Sequence, residues 1–317
     1  MGDSMKRAAV ILGALSLGIM SPDTLSVAVW AEARNSAQAT QQNPPAAGQA
    51  APAQGATAAP AQGATPGATA APAGKRPPQL KTKPEQDAYN TAAANTDVAA
   101  LEKASDDFAS KFPDSEVRVL LYQTAMRLYQ NANNAEKSEA MGRKVLSLDA
   151  DNPEALAIVA EVIAERTHDS DLDKDQRFAE ATSMAQKATQ TVDTDISVPA
   201  GTPQEKIDAY KSFLRSNAYS SLGTIEFKKE NYPAAQENFQ KSIDAFPSSP
   251  DPAVVLRLAL ALDKQGKYPE ALKVANRAVE LTQDNTAIGT PARHERDRLQ
   301  QLTGGAAPAP PQSPPKN

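Results

Sequence analysis

"NYPAAQENFQKSIDAFPSSP", residues 231–250, has a near-copy in "KYPEALKVANRAVELTQDN", residues 267–285, which begins thirty-six positions later. Each stretch reads as an amphipathic helix. Two such helices alone mean little, but self-similarity at a period of 20 to 50 residues marks a stack of structural units. The copying therefore decides whether to look for an active site or for a binding surface.

The residues before each copy repeat as well. A 34-residue frame begun at Ser216 puts Tyr219 at position 4, Leu222 and Gly223 at 7 and 8, and Tyr232 at 17. It continues with Ala235 at 20, Phe239 at 24, Ser242 at 27 and Pro247 at 32. A second frame from Pro252 puts Val255, Leu258, Ala259 and Leu262 at 4, 7, 8 and 11, Gly266 at 15 and Tyr268 at 17. Ala271, Ala275 and Ala278 follow at 20, 24 and 27. Large residues at 4, 11, 17 and 24 fill the space between two antiparallel helices, and small ones at 8, 20 and 27 let the backbones approach. Position 15 lies in the turn, where a left-handed backbone favours glycine. Gly266 supplies one and Glu230 does not. The pattern resembles the tetratricopeptide repeat family. That resemblance implies an all-α fold, a right-handed superhelical solenoid of about five antiparallel helix hairpins flanked by disordered segments.

The frame carries upstream. "VLSLDADNPEAL", residues 145–156, resembles a junction between repeats, with Val145 at position 27 and a new unit starting at Pro153. The unit before it places Tyr122, Ala125, Met126 and Tyr129 in register, although Ser138 at 20 and Gly142 at 24 fit poorly. The unit from Pro153 carries Leu156, Val159, Ala160 and Ile163, then an insertion, "THDSDLDKDQ", before Phe178, Ala181, Ala185 and Ala188. Units are expected near 82–115, 119–152, 153–192, 216–249 and 252–285, within a repeat domain of residues 83–303. "DTDISVPAGTP", residues 193–203, reads as a loop before a helix starting near Gln204. Residues 291–303, with a proline in the first turn, read as a polar cap helix; an unstacked last repeat would expose its apolar face.

Outside the repeats the composition changes. Lys6 and Arg7 precede the apolar run "AAVILGALSLGIM", residues 8–20, and Val29 and Ala31 offer the small residues of a cleavage site. Residues 1–31 are expected to be an export signal. The run alone is too short to span a bilayer, and an uncleaved anchor would have to continue through Pro22 and Asp23 to Trp30. The expected location is the periplasm or cell envelope, or alternatively the inner membrane through that anchor. Residues 32–82 are rich in Ala, Pro, Gln and Gly and cannot repay the entropy of ordering, so they read as a disordered linker. The Pro-rich residues 304–317 read as a disordered tail.

Composition excludes several chemistries. The net charge of −5 argues against a nucleic-acid partner. Cysteine is absent, so there is no disulfide, thiolate metal site, thiol nucleophile or lipid-anchoring cysteine. His168 lies in an acidic stretch with Asp169, Asp171, Asp173 and Asp175, but the glycine and terminal Glu of a calcium loop are missing. His294 sits among Arg293, Glu295, Arg296 and Asp297, the pattern of an exposed helix. No phosphate-binding, zinc-protease or nucleophile-elbow motif is present. The reading is a protein that is not an enzyme, with no catalytic residue, metal or cofactor.

What remains is the surface of the solenoid. The family resemblance implies a concave groove faced by positions 2, 5, 9, 12 and 13 of each unit. Those positions hold Gln123, Arg127, Gln130 and Asn131, then Glu154, Glu161 and Glu165. Further on they hold Asn217, Ser220, Thr224 and Lys228, and finally Asp263 and Lys264. The groove is expected to be polar, mixed in charge, and bound by a peptide or partner protein. Membrane contact would come only through residues 8–30 if uncleaved. The expected role is a protein–protein interaction scaffold of the bacterial cell envelope, with an accessory subunit of an envelope-assembly or cell-wall enzyme complex as the alternative.

Overall fold

Helix starts follow from local chemistry. Thr82, Asp97, Asn134, Asn152 and Asp251 each turn a side-chain oxygen onto a backbone N–H of the first turn, and Pro occupies the first or second position of five helices. The computed structural model describes residues 75–198 and 201–304. Among the described residues there are eleven α-helices and no strand. In chain order they are α1 Lys83–Ala93, α2 Val98–Lys111, α3 Arg118–Asn131, α4 Ala135–Leu148, α5 Pro153–Arg166 and α6 Lys174–Thr191. They continue with α7 Gln204–Lys228, α8 Tyr232–Ala245, α9 Pro252–Lys264, α10 Tyr268–Glu280 and α11 Gly289–Leu302. The expected export signal, most of the linker and the tail beyond Gly304 lie outside the described residues.

Each helix packs on the next, and α5 also packs on α7. This is the contact pattern of a solenoid, in which a unit touches its neighbours only. The core is accordingly a band of linked clusters. One joins α1 to α5 around Leu101, Phe108, Leu121 and Met126, and another joins α8 to α11 around Phe239, Val255, Leu258 and Leu299. Between them Ile163, Phe178 and Ile225 tie α5, α6 and α7 together.

Close approach within the stack depends on small residues. A Cβ on Gly223 of α7 would sit 2.5 Å from the Phe239 ring of α8, and one on Gly142 of α4 would sit 2.5 Å from Val159 of α5. Gly142 and Ser138, which the repeat pattern fits poorly, are thus both packing residues. Ser138 is buried and its hydroxyl donates to the Met126 carbonyl of α3 at 3.2 Å. Small size is what both positions demand, and at Gly142 even the Cβ of an alanine would be too close to Val159.

Two departures shape the molecule. Helix α7 is 25 residues long against 14 for its partner α8, so its first turns overhang the hairpin. Tyr210, Phe213 and Leu214 of that overhang close over Val192, Ile196 and Val198 of the preceding loop, and Phe213 meets Phe246 edge-on at 6.3 Å. Residues 75–82, expected as the end of the linker, form neither helix nor strand and are hydrogen-bonded to the helical stack. Leu80, packed on the α1 to α5 cluster, anchors them.

Candidate interaction surface

Helices α3, α5, α7 and α9 share one face, and side chains reach across it from each helix to the next. At the α3/α5 step Arg127 forks onto the Glu154 carboxylate through Nε and Nη2. Gln123 Nε2 donates to Glu154 Oε2 at 3.3 Å and to Asn152 Oδ1 at 3.4 Å, while that same Asn152 oxygen caps α5 by accepting from Ala155 N at 3.1 Å. Tyr210 from the α7 overhang lies beside both Glu154 and Arg127. Burial pushes the Tyr210 hydroxyl well above its ordinary pKa, and the Glu154 charge adds to the shift. For Arg127 burial opposes the charge, and Glu154 more than offsets it. The side chains of this pair keep 15% and 7% of their surface, so removing one partner would strand a charge at a cost of about 3–5 kcal/mol. Asp195, Ile196, Ser197 and Leu214 complete a small notch beside it.

The α5/α7/α9 step is built differently. Lys228 Nζ donates to the carbonyls of Ala164, Glu165 and Thr167 at 2.7, 2.7 and 3.0 Å, which uses all three ammonium donors to close the C-terminus of α5. Burial draws the Lys228 pKa down, with Glu165 opposing. Arg257 of α9 binds Glu165 at 2.7 Å and donates to Thr224 Oγ1 at 2.9 Å. Beside them Glu161 makes no hydrogen bond to any described residue. Burial pushes its carboxyl up to about 7, Glu165 and Asp251 add to the shift, and Arg257 opposes it.

Of the groove residues read from the sequence, Gln123, Arg127, Glu165, Thr224 and Lys228 are therefore occupied within the protein. Their polar atoms hold helices together. Gln130, Glu161, Asn217 and Ser220 are half-buried, Asn131 and Lys264 are exposed, and none of these six side chains hydrogen-bonds a described residue. Asp263, at the end of the face, is held by Arg298 of α11 at 2.5 Å. The register missed Tyr210 and Arg257. Tyr210 precedes the frame that starts at Ser216, and Arg257 sits at position 6, outside the expected set. No signal in the 34-residue pattern marks either.

Among the described residues no group of His, Cys, Asp or Glu could hold a metal ion. His168 and His294 are both exposed, and the acidic loop beside His168 projects Leu172 fully into solvent. No helix of the described residues is long and apolar enough to cross a membrane.

Residues 214–284, from the last turns of α7 through α10, match the family model of the tetratricopeptide repeat. Among solved structures, the chain is similar to YrrB, described as a TPR protein with an unusual peptide-binding site, at 16% identity and a TM-score of 0.41, covering 63% of this chain and 86% of that one. It is similar to MamA at 15% identity and a TM-score of 0.43, covering 71% and 96%. A thermophilic TPR protein of Thermus thermophilus aligns at 12% identity and a TM-score of 0.41, covering 69% and 100%. No curated protein sequence matches.

Proposed function

We propose that this tetratricopeptide-repeat protein, by fold a protein–protein interaction scaffold, is a non-enzymatic module of the cell envelope that binds a partner segment on the concave face of α3, α5, α7 and α9. The observation that carries the reading is the set Gln130, Glu161, Asn217 and Ser220. These polar side chains share a face with satisfied neighbours yet have no hydrogen-bond partner of their own among the described residues. The neighbouring ion pairs set the helix spacing, and the unpaired residues supply directional contacts. Residues 1–31 support export, and intact mass of the product from a Gram-negative host tests it: a mature start at Glu32 supports the envelope assignment, and a full-length cytosolic product refutes it.

Site-specific photo-crosslinking tests the face itself. A benzophenone side chain at Asn217 or Ser220 should give one adduct of discrete mass in the native host, and the same probe at the exposed outer-helix positions Gln186 and Lys273 should give none. Equal adducts from both sets would refute a binding face on the inner helices. Once the partner is in hand, Asn217→Ala with Ser220→Ala should weaken its affinity by about tenfold with the melting temperature unchanged. Arg127→Glu is not a usable probe, because it would set two carboxylates against each other at Glu154 and unfold the face it was meant to test.

A further inference from the structure

The chain approaches its first helix along the flank of the stack. Residues 75–81, without helix or strand, run past the loops that join one hairpin to the next. Lys81 Nζ donates to the Asp114 carbonyl at 3.3 Å, and Gln79 N donates to Glu116 Oε2 at 3.1 Å. Arg76 Nη2 reaches the same Glu116 oxygen at 2.8 Å. Further back, Lys75 Nζ pairs with Asp149, and Lys75 N donates to the Thr194 carbonyl at 3.0 Å. The partners come, in order, from the loop after α2, the loop after α4 and the turn after α6. Basic groups on the segment meet acidic groups on all but the last. Pro77 and Pro78 at its centre have no N–H to leave unpaired and favour an extended backbone. Leu80 gives the segment an apolar foot in the core.

We infer that residues 75–81 are a charge-matched strap that clamps the first three inter-hairpin loops to one another. The described chain therefore joins the solenoid at its flank, where Lys75 meets Thr194, rather than at its end at α1. A pull at Lys75 acts first on the loop that feeds α7, next to the notch that Asp195 lines beside Arg127 and Glu154. Lys75 and Arg76, the two exposed residues at the outer end, are where release begins. Salt promotes that release, because ion pairs near the surface are screened.

Two measurements on the full chain test the strap. Between Arg34 and Lys75 the sequence offers trypsin no basic residue. Cleavage of the native chain after Lys75 should therefore lag cleavage after Arg34 by at least tenfold in low salt, and 0.5 M NaCl should narrow the gap. Equal rates in low salt would overturn the proposal. The chain contains no cysteine, so the pair Lys75→Cys with Thr194→Cys reports proximity cleanly: mild oxidation should close one intramolecular disulfide, read as a loss of about 2 Da, with helix content retained. Adding Arg76→Glu, which opposes Glu116, should cut the yield several-fold. Free thiols after oxidation, or a disulfide formed only between two chains, would show that the strap does not bind in cis.

Discussion

Position 15 of three hairpins takes the same left-handed backbone in three different residues: φ is 54° at Asn133, 60° at Glu230 and 74° at Gly266. Geometry is set by the turn, and the side chain bears the strain. For Glu230 that strain is of order 1 kcal/mol, so Glu230→Gly should raise stability by about 1 kcal/mol and Gly266→Ala should lower it similarly; urea titration of both variants measures this, and two shifts of the same sign would contradict it. Glu161 gives the other single-residue prediction. Its folded pKa of about 7 lies above the ordinary 4.5, so between those values the folded chain holds a proton that the unfolded chain has lost. Stability should therefore fall as pH rises from about 4.5 to 7, and the loss should be complete above 7. Burial drives the effect, the carboxyls of Glu165 on α5 and Asp251 at the start of α9 add to it, and Arg257 limits it. Glu161→Gln removes the ionisation and should add about 1–2 kcal/mol at pH 8, after allowance for partial exposure, with nothing gained at pH 4. Denaturation curves of the two proteins that stay parallel from pH 4 to 8 would defeat this account.

At the scale of helices, what the sequence disclosed was packing, and what it withheld was polar wiring. The 34-residue frame marks Tyr122, Val159, Phe178, Phe239 and Leu258 as core because burial selects size and apolarity, which a one-dimensional pattern records. It also starts a helix near Gln204, where α7 begins. The frame has no way to record that Lys228 of α7 would close the C-terminus of α5, sixty-odd residues away, since any long cation at that position fits the pattern equally. For the same reason it counted Arg127 and Lys228 as groove contacts when both are consumed by neighbouring helices. Lys75 and Arg76 were hidden differently, by lying at the edge of a low-complexity tract whose composition says nothing of their partners. The Lys228 cap makes its own prediction. Lys228→Ala should strand three carbonyls and cost about 1–3 kcal/mol, and hydrogen exchange should speed up over residues 163–173 first. Exchange that speeds up only in α7 would mean that the lysine stabilises its own helix and not α5.

Across the whole molecule, helices pack on those of their own and adjacent hairpins, and stability should be distributed accordingly. Leu299 and Ala292 of α11 are fully buried against the cluster that includes Ala271, Ala275 and Ala278 of α10, while the outward residues of α11, among them His294, Asp297 and Gln300, are exposed. One amphipathic helix thus ends the stack by covering apolar surface on one side and meeting water on the other. The same helix reaches back to the inner face, where Arg298 holds Asp263 of α9. Ending the chain after residue 284 removes α11 and leaves the α10 alanines and Leu258 under-covered. In a cooperative globule that loss would lower protection everywhere. In a stack with nearest-neighbour coupling, α9 and α10 should lose most of their hydrogen-exchange protection, α7 and α8 a fraction, and α3 to α5 almost none. The graded profile is the expected result, with some self-association through the exposed end. Uniform loss of protection from α1 to α10 would show that the hairpins fold as a single unit and that the one-dimensional description fails.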